Sequence, residues 1–130
     1  MSLAISARIV SGVIVVDMAG RLCFLDVTLR DRVKEWLQEG HRAFVLNLAG
    51  VLYVDSFGLG QLITISNSIR SKGGQLILLN PTEHARALFQ ITKLNTVFEI
   101  SEDEAQAVRS MRAKAIDSIL HTASAKSHLP

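Results

Sequence analysis

Residues 43–79, AFVLNLAGVLYVDSFGLGQLITISNSIRSKGGQLILL, decide the fold. Ala43-Phe44-Val45-Leu46-Asn47-Leu48 is an apolar run of strand length, and Gln75-Leu76-Ile77-Leu78-Leu79 is another. Between them Leu59, Leu62, Ile63, Ser66 and Ile69 recur at helical spacing, and Gly73-Gly74 closes that helix. Strand, helix and strand in this order form a crossover unit, which demands parallel pairing and a right-handed connection.

Upstream, residues 3–10 alternate. Leu3, Ile5, Ala7 and Ile9 fall on one side and Ala4, Ser6 and Arg8 on the other, as in a half-buried strand. Ser11-Gly12 reads as a tight turn into the β-branched run Val13-Ile14-Val15-Val16, so the two segments form a hairpin whose second strand ends at Gly20. Leu29, Val33, Trp36 and Leu37 then mark a helix that Gly40 stops, with Trp36 in its core stripe and Asp26 placed to cap it. Downstream, Asn80-Pro81-Thr82-Glu83 reads as the start of a third helix: Asn80 caps, Pro81 takes the first helical position and Glu83 completes a capping box. Ala85, Leu88, Phe89 and Thr92 form its inner face, and Val97-Phe98 a short fifth strand. Ser101-Glu102-Asp103-Glu104 opens a fourth helix with Ala105, Val108, Met111, Ala115 and Ile119 on one stripe. The order is ββαβαβαβα: an α/β fold in one domain, a mixed, mostly parallel sheet with packed helices.

Composition narrows the function classes. The 130 residues are 48% hydrophobic and 20% charged, too apolar for a disordered chain. The net charge is +2, spread without any polybasic stretch, which argues against nucleic acid or an anionic membrane as partner. No apolar run approaches the roughly 18–20 residues that span a bilayer, and the first residues lack a signal-peptide pattern, so a cytoplasmic location is expected. The single cysteine, Cys23, allows no intrachain disulfide, and without a sequence-evident histidine partner it reads as an inert, half-buried thiol. His41, His84, His121 and His128 show no metal-ligand spacing, so no metal is expected. Gly58-Leu59-Gly60 lacks the context of a phosphate-cradling loop, so no nucleotide cofactor is expected either.

Sites in open α/β sheets gather at the loops after the carboxyl ends of strands. The most unusual such loop is Val51-Leu52-Tyr53-Val54-Asp55-Ser56-Phe57-Gly58-Leu59-Gly60, where an acid and a hydroxyl meet a helix start. The free N–H groups and positive dipole end there favour a negative group, so a phosphate on Ser56 would be well placed. It would also add roughly −1.5 to −2 charges beside Asp55 and could repel a docked partner. The plainer reading makes Asp55 or Ser56 an N-cap worth about 1 kcal/mol. Phe57 and Tyr53 each read either as interface anchors or as packing.

From residue 3 to about 115 the chain resembles the STAS domain family, the anti-sigma factor antagonists. The resemblance rests on Gly20-Arg21-Leu22, on Asp55-Ser56-Phe57-Gly58-Leu59-Gly60, on the segment from Gly73 to Pro81, and on the segment from Thr92 to Ile100. It implies a non-enzymatic regulator that switches partners. Such proteins bind an anti-sigma factor that is also a serine kinase and so free the sigma factor. Phosphorylation of a hydroxyl in the loop after the third strand releases the antagonist, and a phosphatase resets it. The ATP belongs to the kinase.

Carried onto this chain, the resemblance makes Ser56 the phosphorylation site and draws the partner-binding face from Asp55, Ser56, Phe57, Gly58, Leu59, Arg21, Cys23 and Tyr53. Two positions depart from the family pattern. Many members carry a second hydroxyl next to the glycine, where this chain has Phe57; members built into stress-sensing scaffolds are phosphorylated directly after the Asp, the position of Ser56. Cys23 stands where the family often has an acid. The alternative function is a STAS scaffold or ligand-sensing module that docks through Phe57 without phosphorylation. The domain is expected over residues 1–115, with a helical extension and frayed tail over 116–130. Ile116, Ile119 and Leu120 prolong the apolar stripe there, either as a longer helix on the sheet or as a homodimer contact or a dock for a partner helix.

Overall fold

The computed structural model describes residues 3–23 and 27–111. Strands β1 (Leu3–Val10) and β2 (Val13–Leu22) pair antiparallel about Ser11-Gly12. Both turn residues have positive φ, 51° and 81°, the mirror-image turn whose twist suits a hairpin. There follow α1 (Thr28–Gln38), β3 (Ala43–Val54), α2 (Ser56–Ser71), β4 (Gln75–Leu79), α3 (Glu83–Ile91), a 3-10 turn (Leu94–Thr96), β5 (Glu99–Ser101) and α4, described over residues 104–111. One sheet runs β1-β2-β3-β4-β5, with every pair after the hairpin parallel. The expected element order and mixed sheet are those observed.

The alternation of side chains along each strand sorts the core into two layers. Ile14, Val16, Phe44, Leu46, Leu76 and Leu78 face α1, α2 and α3, and meet Leu29, Trp36, Leu62, Ile65 and Phe89 there. Val13, Val15, Val45, Ile77 and Leu79 face the other way and are covered by Ala107, Val108 and Met111 of α4. Arg8 ties the hairpin to α4: it pairs with Asp17 at 2.7 Å and with Glu104. Asn47 donates a further hydrogen bond to Asp17 at 2.8 Å. The guanidinium holds the carboxyls of Asp17 and Glu104 below their ordinary range, and the two acids raise Arg8 in turn.

Several boundaries differ from the sequence reading. Gly20 does not end β2; it sits inside the strand at φ 114°, beside a register shift between Gly20 and Arg21, so a bulge carries the strand on to Leu22. β3 is likewise longer than expected, because residues 50–54 continue to pair with β2 after β4 has ended opposite Asn47. Asn80 adopts a left-handed φ of 51° and is a turn residue; Thr82 caps α3 instead, accepting the Ala85 amide at 3.2 Å. Asp103, not Ser101, caps α4 through the Gln106 amide. Val97-Phe98 is not a strand: β5 begins at Glu99, opposite Ile77. Ile9, Ile63, Thr92 and Ala105 are exposed rather than inward. Asp26 and residues 116–130 lie outside the described residues.

Candidate functional site

The carboxyl end of β3 overhangs the sheet and delivers the chain to the start of α2. Asp55 is extended (φ −102°, ψ −178°), and its carboxylate accepts the Gly58 amide at 2.8 Å, so of the two expected cap candidates, Asp55 and Ser56, Asp55 is the cap. The Asp55 amide donates to the Leu22 carbonyl at 3.3 Å, fastening the loop to the end of β2. Gly58 packs against the same carbonyl so closely that a Cβ would stand 2.2 Å from its oxygen. Gly58 and Leu59 are both buried and hold the loop from within.

That fastening leaves Ser56 and Phe57 on the surface. Ser56 is the first residue of α2 and is exposed; Phe57 is 60% exposed. A large, solvent-facing aromatic at a helix start has the character of an interface anchor. Both line an open groove of about 330 Å³ with Val27, Arg30, Gln61 and Thr64. Gln61 is buried beneath it and donates from Nε2 to the Cys23 carbonyl at 2.7 Å. Cys23 is half-buried, and it contributes to this end of the molecule through its backbone.

A second group lies at the same end of the sheet. The β2–β3 register sets Arg21 beside Tyr53, and the guanidinium carbon stands 4.4 Å from the Tyr53 ring centroid. His84, in the first turn of α3, stacks on the same ring at 5.9 Å and 16°. Tyr53 is 39% exposed, so an amphipathic surface patch results, held by cation–π and ring contacts. The structure thus brings Arg21 to Tyr53 and Ser56 to Phe57, at one end of one sheet.

Sequence reasoning misses His84 and Gln61. In the sequence His84 reads only as a metal-ligand candidate, although α3 starts where β4 ends and so lies at the end of the sheet that carries Asp55. Gln61 is hidden by its polarity: the helical pattern offers no reason to bury it. Among the described residues, no group of three His, Cys, Asp or Glu side chains is placed to hold a metal ion, and no helix is long and apolar enough to cross a membrane.

The STAS domain family model matches residues 4–107. A Thermotoga maritima protein named "Putative anti-sigma factor antagonist" is 32% identical over 80 residues, 62% of this chain and 71% of that protein. Among solved structures, the crystal structure of a Thermotoga maritima protein described in the same words superposes with a TM-score of 0.76 at 27% identity, covering 83% of this chain and 94% of that one. The anti-sigma factor antagonist SpoIIAA in its unphosphorylated form shares the fold, with a TM-score of 0.72 at 23% identity over 85% of this chain and 97% of its own. SpoIIAA is also known in a phosphorylated form, with a TM-score of 0.65 at 23% identity over 82% of this chain and 99% of its own.

Proposed function

The chain belongs to the STAS domain family, and we propose that it is an anti-sigma factor antagonist that works by exchanging protein partners. In this reading it binds, in the cytoplasm, an anti-sigma factor that is also a serine kinase, and the sigma factor is freed to start transcription. The kinase transfers the γ-phosphoryl group of ATP to the Ser56 oxygen, ADP leaves, and the phosphorylated antagonist dissociates until a phosphatase hydrolyses the ester. The chain's own part is to bind and to present the hydroxyl.

The observation that carries the reading is the setting of Ser56: exposed, at the first position of α2, between a capping carboxylate and an exposed Phe57. A phosphate there would face the amide-rich helix start, which favours it. It would also add roughly −1.5 to −2 charges beside Asp55, so a partner seated on Phe57 and the Arg21–Tyr53 patch would meet a changed field. Incubation with the cognate kinase and ATP, followed by phosphopeptide mapping, tests this. Phosphate is expected on Ser56 alone, and its absence there defeats the phosphorylation switch.

Phe57 favours a second reading, a scaffold that docks through this aromatic and is never phosphorylated. Binding abolished by Phe57→Ala but indifferent to Ser56→Asp selects it.

A further inference from the structure

Away from Ser56, α1 and α2 enclose a groove of about 760 Å³ whose charge the antagonist reading does not use. Its floor is apolar: Val33 and Ile65, each 1% exposed, with Leu37 beside them. Its rim carries four exposed cations, Arg30, Lys34, Arg42 and Lys72, against one carboxylate, Asp31. The chain as a whole has an excess of only two positive charges, so four cations against one carboxylate make the groove more positive than the molecule that carries it.

These cations are not neutralised from within. Among the described residues, none of the four makes an ion pair. Arg42 is held by carbonyl oxygens alone, donating from Nη1 to Leu37 at 2.9 Å and to His41 at 2.8 Å. Those bonds fix a guanidinium at the groove's edge without cancelling its charge.

We propose that this groove is a second docking site, and that its occupant is an acidic, helix-forming segment of a protein partner. An apolar floor between two helices fits the spaced apolar anchors of an amphipathic helix, while the cationic rim fits carboxylates flanking them. Single-stranded nucleic acid fits less well, because no aromatic side chain lines the groove for bases to stack on. Arg30 and Thr64 line both this groove and the one beside Ser56 and Phe57, so a partner on the Ser56 face could extend its acidic segment along it. The proposal does not depend on Ser56 being modified.

The test uses the full chain and a fluorescent peptide of Glu and Leu, with Leu at i, i+3, i+4 and i+7. A Lys/Leu peptide of the same spacing and a single-stranded oligonucleotide serve as competing probes. The Glu/Leu peptide is expected to bind saturably and more weakly at high salt, and to shift the amide resonances of Val33, Leu37, Thr64 and Ile65. The double charge reversal Lys34→Glu/Lys72→Glu is expected to weaken binding about 10-fold or more, with Lys34→Gln/Lys72→Gln intermediate and the thermal midpoint unchanged. The proposal is overturned by no saturable binding, by shifts elsewhere on the molecule, by affinity indifferent to charge reversal, or by an oligonucleotide or Lys/Leu peptide that binds the groove more tightly. Failure of the antagonist reading leaves this result untouched, since no anti-sigma factor is present in the assay.

Discussion

The alpha carbon of Gly58 lies so close to the Leu22 carbonyl that the first atom of any side chain would stand 2.2 Å from its oxygen. The obstacle is backbone, so it cannot swing aside, and the same carbonyl receives the Asp55 amide. Gly58→Ala is therefore expected to destabilise by about 1–3 kcal/mol. Gly60, two residues on in the same helix, is open: a Cβ added there would meet nothing within 4 Å. Gly60→Ala is expected to be neutral or to stabilise by up to about 1 kcal/mol. Thermal unfolding of the two variants checks the contrast; equal losses contradict the close approach.

Removing the cap isolates the local contribution of Asp55. Asp55→Ala leaves the Gly58 amide without its acceptor, and is expected to cost about 1 kcal/mol, with Asp55→Asn retaining most of it. Urea denaturation reads this as a lower midpoint at unchanged slope. A midpoint equal to the parent's means the hydrogen bond contributes nothing.

The Arg8 network predicts an acid limit. Asp17 and Glu104 titrate lower in the folded chain than in the unfolded one. Their stabilisation is therefore complete above the ordinary carboxylate range of about 4 and is lost as pH falls below it. At neutral pH the parent is expected to be more stable than Asp17→Asn, with the gap closing below about pH 4. The three side chains are 35–42% exposed, so the gap is expected to be small and to shrink with salt. A gap that widens in acid has the wrong sign for this account.

The stack of Tyr53 on His84 predicts a surface role. Because Tyr53 is partly exposed, Tyr53→Ala is expected to leave the fold intact and to weaken capture of the anti-sigma factor by about 2 kcal/mol, roughly 30-fold. His84→Ala, which loosens the ring without removing it, is expected to cost less. Calorimetric titration measures both, and undiminished binding by Tyr53→Ala removes this patch from the interface.

The topology is legible because residues 43–79 switch plainly between strand and helix periods, whereas the cap is legible only as Asp55 or Ser56, and the Gly58 amide selects Asp55. The errors fall where a local signal meets a tertiary demand. Gly20 looks like a strand end, yet a bulge absorbs it. Val97-Phe98 has strand composition, yet Lys93, at φ 61°, sets up a 3-10 turn, and Phe98 turns inward against Phe89 at 5.9 Å. At the site, Ser56 and Phe57 can be read from the loop itself. The His84 contact cannot, because it depends on where α3 starts beside the overhanging end of β3, and the basic groove needs two helices set side by side.

In the proposed switch the Ser56 face holds a protein partner and negative charge at Ser56 releases it. The most direct measurement is the affinity of the cognate anti-sigma factor for the parent chain, Ser56→Ala and Ser56→Asp, by calorimetric titration. The parent and Ser56→Ala are expected to bind alike and Ser56→Asp about 10-fold or more weakly. Equal affinity for all three contradicts the switch.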